Sequence, residues 1–482
     1  SDWDRMARLG HRMVDDMIEY LRTIRERPAW KPVSEEKKAC FQPALPEGPT
    51  SPEDVYQEFI DNILPYPMGN IHPRFWGWVK GNGTPLGMFA EMLAAGLNPN
   101  VWGSDLVASY VEQQVLRWGK EFIGYPADAS GLLVSGGSMA NFVGIAVART
   151  ARAGFDVRAK GMQDPPQAMT LYASVEVHSS VTKAVELLGF GSDALRLIPV
   201  NPGFQINVGL LQEAIENDLA AGRHPVCVVG SAGTVNTGAI DDLEAVADLC
   251  ALHNIWLHVD GAFGALAVLA PSLRAKLAGL SRADSIAFDM HKWLSIPYEA
   301  GCVLIRDEKV HHDTFRTSGK YLARLGRGFA AGPVPFNEYG LELSRGFRAL
   351  KVWMSMKEQG IGKFRRLVQQ NVDQARYLSE RVTASPDLEL VAPVALNIVC
   401  FRYVDGRLGL EELNALNRDI LIQLQESGFA VPSSTMLNNR FAIRVAITNH
   451  RSRRGDFDLL VNEVRRIGGE ISAKLHPAAV HE

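Results

Sequence analysis

Four short runs in the chain set a chemically useful side chain where a strand-like segment gives way to a turn. Gly136-Gly137-Ser138 follows the apolar run 132–134 and precedes a helical pattern that begins near Met139. Free amides, a hydroxyl and a helix N-terminus meet there, which suits a phosphate, although a plain turn before a helix would look the same. His258-Val259-Asp260 ends the apolar run 255–259 and is followed by the small residues Gly261 and Ala262. Its acid either faces a ligand or caps the next helix. Asp289-Met290-His291-Lys292-Trp293 also follows a β-run, and a lysine in apolar company can lose its charge and serve as an amine nucleophile, although a solvated, charged lysine is the commoner case. The fourth run is Val177-His178-Ser179-Ser180, in which His178 is either a functional imidazole or a satisfied structural one.

Taken jointly, these are the parts of a pyridoxal phosphate site: a phosphate cup, an acid for the pyridine nitrogen, a lysine for a Schiff base and an imidazole for the ring face. A carboxylate is needed because only a protonated pyridine withdraws electrons efficiently, and Asp260 is the choice for that role.

Such groups need a scaffold that brings strand ends together. Between residues 130 and 310, β-branched runs at 170–174, 195–200, 227–230, 255–259, 285–288 and 302–306 alternate with helical patterns. The alternation predicts an α/β domain with a largely parallel sheet, helices on both faces and a ligand beyond the carboxyl ends of the strands. After a helical pattern at 346–359, strands at 388–391, 398–403 and 441–447 mix with helices at 410–426 and 456–475, a smaller α/β domain. At the other end, Met6, Leu9, Met13, Met17 and Leu21 form the stripe of an amphipathic helix, followed by a proline-rich stretch with one helical pattern at 52–63 opened by Ser51.

A chain of 482 residues calls for two or three units, and 46% hydrophobic with 22% charged residues excludes disorder as its main state. A formal net charge of −4 offers no general field for nucleic acid. No apolar run approaches a membrane span, and Ser1-Asp2-Trp3-Asp4 opens without a signal-peptide core, so the expectation is a cytoplasmic protein without membrane or nucleic-acid partners. The five widely spaced cysteines read as reduced core thiols rather than as disulfides or metal ligands.

The run from Ser285 to Leu294, continued by Tyr298, Ala300, Val303 and Arg306, resembles the lysine signature of the group II pyridoxal-phosphate-dependent amino-acid decarboxylases, the family of the aromatic-L-amino-acid decarboxylases. His72-Pro73, Gly233-Thr234, Tyr321-Leu322 and Arg345-Gly346-Phe347-Arg348 extend the likeness over nearly the whole chain. The resemblance implies a fold-type I enzyme with a mainly parallel, seven-stranded-type sheet. It also implies a homodimer in which an N-terminal helical segment, 1–78, packs on its partner, with a large cofactor domain at 79–362 and a small domain at 363–482. It implies Lys292 as the cofactor lysine, Asp260 as the pyridinium partner and His178 as the stacking imidazole. Gly136, Gly137 and Ser138 become the phosphate anchor, with Asp289 and His291 beside it, and Thr234 lies near the cofactor's 3-oxygen. Tyr321, in the glycine-rich run 317–332, becomes a lid tyrosine that protonates the substrate carbon.

Some positions depart from the aromatic branch: Asp289 replaces a common asparagine, a charge that needs protonation or a partner such as His291, and Lys80 falls in an otherwise apolar substrate segment. His72, Trp78, Lys80, Trp102 and Arg444 are the candidate substrate-pocket residues. The expected activity is decarboxylation of an L-amino acid, aromatic by preference. The alternatives are oxidative decarboxylation to an aldehyde, and an acidic or small substrate.

Overall fold

In the computed structural model, which describes residues 1–316 and 325–475, the chain divides into two compact units. The first gathers Ser1–Pro85, Arg376–Val391 and the chain from Val399 onward; the second gathers Leu86–Ala375 and Ala392–Ile398.

In the first unit the short strand Phe75–Trp76 pairs in parallel with Val431–Pro432 at the edge of a five-stranded sheet. The sheet continues through Arg440–Ala446 and Ile398–Tyr403 to Leu388–Leu390. This pairing is why the N-terminal segment shares a unit with most of the C-terminal part of the chain. Trp76 is fully buried, stacks on Phe457 at 5.1 Å and donates its indole N–H to Ser452 Oγ at 3.2 Å. The helices Leu410–Glu426 and Arg454–Leu475 lie where the apolar spacing places them. The strand Val431–Leu437 was not anticipated. It forms a hairpin through Asn438 and Asn439, both at positive φ, as a tight two-residue connection requires. The N-terminal helix Asp2–Arg22 is closed by a reciprocal cap between Ser1 and Asp4. Its stripe is only partly covered: Leu9 is buried, whereas Met6 and Met13 are exposed.

The second unit is built on seven strands: β1 (Ser130–Val134), β2 (Met169–Ser174), β3 (Leu195–Ile198), β4 (His224–Ser231), β5 (Trp256–Asp260), β6 (Ser285–Asp289) and β7 (Gly301–Ile305). Their order across the sheet is β1-β7-β6-β5-β4-β2-β3. Neighbours from β6 to β3 run parallel, while β7 runs antiparallel to both β6 and β1. A parallel return needs a crossover of about a dozen residues or more, and the connection 290–300 instead turns the chain straight back. Lys292 sits in that connection and so lies at the carboxyl end of β6. Strands β2 and β4 to β7 are buried along almost their whole length, as expected of a sheet covered on both faces.

A buried ion pair ties the start of this unit together. Arg345 reaches both carboxylate oxygens of Glu112, at 2.5 and 3.1 Å, and donates to the carbonyls of Val101 and Leu133. Glu112 in turn accepts the Leu133 amide, which pins β1 just before the loop at Gly136. Of the cysteines, Cys227, Cys250, Cys302 and Cys400 are buried, whereas Cys40 is exposed after the short helix Glu35–Ala39, which corrects the reading of all five as core thiols. Among the described residues, no helix is long and apolar enough to cross a membrane.

Candidate active site

The phosphate-like loop lies between β1 and the helix Gly137–Arg152. Gly136 is the N-cap and no side chain caps the helix, so the first amides stay open. Gly137 is required by close approach: a Cβ there would stand 2.8 Å from Asp289 Oδ2. Ser138 is exposed on the first turn.

Asp289 ends β6, and Lys292 follows in the short helix Met290–Trp293, anchored by the buried Trp293 donating to Asn371 at 3.0 Å. Lys292 Nζ lies 2.8 Å from Asp289 Oδ2, while Asp289 Oδ1 is buried with no hydrogen-bond partner among the described residues. Burial pulls the Lys292 pKa down, but the charge and hydrogen bond of Asp289, helped by the charge of Asp260, outweigh it and leave the amine above its ordinary value. Of the two readings the sequence leaves open, a lysine that loses its charge in apolar company and an ordinary charged one, this shift favours the second. His291 is not the partner that Asp289 needs: its Nε2 lies 3.8 Å away, and its Nδ1 accepts the Ala300 amide at 3.1 Å. Burial holds His291 at about 4, so it stays neutral.

Asp260 ends β5, the strand beside β6, and is buried. One oxygen accepts the Ala262 amide at 3.1 Å and the other accepts Asn141 Nδ2 at 3.0 Å, which leaves lone pairs for a further N–H. His178 follows β2 as the N-cap of the helix Ser179–Leu187, with Nδ1 engaged by Ser180 and its ring exposed. Thr234 follows β4, and its hydroxyl accepts the Ala239 amide at 3.0 Å, so the side chain closes its own turn. The strand ends thus gather Asp260, Asp289 and Lys292 in one unit, with His178 and Thr234 at neighbouring ends. Asn141 is a site residue that sequence reasoning missed. Its signal was the spacing of one helical turn from Ser138 on a helix lying across the strands that carry the acids.

Of the substrate-pocket candidates, only Trp102 belongs to this unit, where its carbonyl accepts the Asn337 amide. His72, Trp78, Lys80 and Arg444 belong to the first unit. There Ser433 Oγ joins two of them, accepting the Trp78 amide at 3.1 Å and Arg444 Nη1 at 3.2 Å. His72 is fully buried, takes the Arg74 amide on Nδ1, and is held neutral at about 4 by burial and the nearby Arg74 charge. Tyr321 lies outside the described residues. Tyr339, the other tyrosine near the arginine run, is buried and gives its hydroxyl to Glu308 at 2.9 Å.

The residues of the second unit fit pyridoxal phosphate on the chemistry of their open positions. An uncapped helix start suits a phosphate, a carboxylate with spare lone pairs suits a pyridinium N–H, and a lysine still about a fifth exposed (22%) is open to a carbonyl.

The model of the pyridoxal-dependent decarboxylase conserved domain matches residues 34–404. An aromatic-L-amino-acid decarboxylase of Bacillus atrophaeus is 33% identical over 473 residues, covering 97% of this chain and 96% of that protein. A phenylacetaldehyde synthase of Arabidopsis thaliana is 27% identical, with 92% of each chain covered. The crystal structure of Oryza sativa TDC with PLP and tryptamine shares the fold at a TM-score of 0.89 and 23% identity, covering 97% of this chain and 98% of that one. With the family model matching residues 34–404, a 33% identical relative over nearly both full lengths and a fold-type I sheet, the chain belongs to the pyridoxal-dependent decarboxylase family and is a carboxy-lyase that works with pyridoxal phosphate.

Proposed function

We propose that the chain converts an aromatic L-amino acid to its amine and carbon dioxide, with Lys292, Asp260, His178 and Tyr321 as the acting residues. The observation that carries this reading is the placement, at the ends of the adjacent strands β5 and β6, of a carboxylate with free lone pairs and a partly open lysine, beside an uncapped helix start. Bound pyridoxal phosphate supplies a protonated ring that draws in the electrons of the breaking bond. Asp260 holds the proton at the ring nitrogen. The amides of Gly136 and Gly137, with the Ser138 hydroxyl, bind the phosphate, and Thr234 and His291 line the remaining edge. Lys292 must shed a proton before it acts as an amine, and Asp289, 2.8 Å away, is the adjacent base. His178 covers the ring face and meets the substrate carboxylate. Tyr321 returns a proton to the α-carbon.

The aromatic preference is supported by the 33% identity to the Bacillus enzyme across nearly both full lengths. Association of two copies is supported by the uncovered Met6, Met13 and Ile18 on the N-terminal helix. The test is turnover of the cofactor-loaded protein on a panel of the standard amino acids, with amine, aldehyde and peroxide all measured. Tryptophan, tyrosine or phenylalanine should give amine, and Tyr321→Phe should divert product toward aldehyde, ammonia and peroxide. Turnover confined to aspartate or glutamate, and abolished by Lys80→Met, would replace the aromatic reading with the acidic one.

A further inference from the structure

Beneath Asp260 lies a polar chain that no step above uses. Asn141, almost wholly buried, stands one turn after Ser138 on the helix Gly137–Arg152. Its Nδ2 lies 3.0 Å from both Asp260 Oδ2 and Ser180 Oγ, and its Oδ1 lies 3.0 Å from His258 Nε2. A carboxylate only accepts, so the amide nitrogen must face Asp260 and the amide oxygen must face His258. That choice propagates in both directions.

His258 therefore donates from Nε2. Complete burial keeps its ring neutral, at about 4, so Nδ1 is an acceptor. It takes the hydroxyl proton of Ser285 at 2.7 Å, and Ser285 Oγ in turn accepts the Trp256 indole N–H at 2.8 Å. Gly144, one turn beyond Asn141, makes room for the ring: a Cβ there would lie 2.5 Å from His258 Nδ1. On the other branch, Ser180 Oγ accepts from Asn141 and is left to donate to His178 Nδ1 at 2.8 Å. The same nitrogen receives the Ser180 backbone N–H at 3.2 Å. Two donors directed at Nδ1 place the His178 proton on Nε2.

We propose that Asn141 is a positioning residue that couples Asp260 to His178. One amide fixes the direction of the first as an acceptor and, through Ser180, holds the second as the Nε2–H tautomer. The inference rests on the roles given above to Asp260 and His178 at the cofactor. It assigns the buried chain from Trp256 through Ser285 and His258 the task of fixing which way that amide points.

The test uses the full-length protein, with two readouts that do not depend on turnover. In cofactor-free protein labelled with 15N in the histidine rings, His178, assigned by loss of its signal in His178→Gln, should show an unprotonated Nδ1. In Asn141→Leu it should shift toward a mixture of tautomers. Titration of cofactor-free protein with pyridoxal phosphate should show Asn141→Leu binding about 10- to 100-fold more weakly, the effect of losing a hydrogen bond to a charged group. Asn141→Asp should bind more weakly still, because a second carboxylate then faces Asp260. Ser180→Ala cuts only the branch to His178, so it should free the His178 tautomer while weakening cofactor binding less than threefold. An unchanged His178 signal in Ser180→Ala, or unchanged cofactor affinity in Asn141→Leu, would overturn the proposal. If the wild-type protein instead bound no pyridoxal phosphate while its His178 signal behaved as described, the reading of the site would fail and the coupling would stand.

Discussion

Two ion pairs are buried in the same unit and are built to opposite specifications. In Glu112–Arg345 both side chains are about 1% exposed and the contact is two-pronged. The guanidinium also spends donors on two carbonyls and lies over the Phe336 ring at 5.0 Å. In Asp289–Lys292 there is one contact at 2.8 Å, the lysine keeps an opening, and Asp289 Oδ1 has no partner among the described residues. A pair whose hydrogen-bonding capacity is nearly filled can only hold structure, because any exchange would strand a buried charge. A pair left incomplete can release its lysine to a ligand. Each pair leaves one buried atom without a partner among the described residues, Arg345 Nε and Asp289 Oδ1, so what separates them is that Lys292 keeps an opening and a single contact while Arg345 is sealed and held by four.

The largest expected effect comes from breaking the incomplete pair at its lysine. Lys292→Ala should lower turnover by about 10⁴-fold or more, equivalent to ~5 kcal/mol of barrier. Its urea midpoint should fall by less than that of Arg345→Leu, since Lys292 is already partly open to water. Activity within tenfold of wild type would remove Lys292 from the reaction.

Next comes the Glu112–Arg345 pair. Arg345→Leu strands Glu112 in the core and should cost ~3–5 kcal/mol, read as a lowered urea midpoint. Removing both charges, Glu112→Leu with Arg345→Leu, should recover much of that loss. If the single and double variants are equally destabilised, the cost lies in packing around Arg345 rather than in a stranded carboxylate.

The smallest effect is at Asp289→Asn in cofactor-free protein, expected to cost about 1 kcal/mol at pH 7, since the lysine retains access to water. The sign with pH follows from Lys292. Its folded pKa is raised, so the pair's contribution is complete below the ordinary lysine value of about 10.4 and is lost as pH rises through the higher folded value. Wild type and variant should therefore differ in midpoint at pH 7 and converge at strongly alkaline pH. A difference that instead persisted undiminished at strongly alkaline pH would point to Asp289 pairing with a group other than Lys292.

What could be read before folding was whatever local pattern dictates. Strand runs and helical spacing located the strands that became β2 to β7; for all but the edge strand β3 the reason is that residues buried on both faces must be apolar with little interruption. The small residues and acids at the ends of those runs marked Gly136, Asp260, Asp289 and Lys292 as site candidates. Neither β7's direction nor the hairpin strand Val431–Leu437 was legible: the first depends on where a short connection lets the chain return, the second on a turn of two asparagines rather than on the strand's own weak pattern. The charge state of Lys292 stayed open for a related reason, since an apolar neighbourhood in sequence says nothing about a carboxylate three residues away folding back to 2.8 Å.

The sequence alone determined the residue types at the strand ends and hence the chemistry they can do, because types and spacing are local properties. Only the tertiary structure decided which of those groups share hydrogen bonds. Asn141 meets Asp260, 119 positions away, because a helix and a strand from distant parts of the chain pack face to face, and the directions of the protons between them follow from that contact.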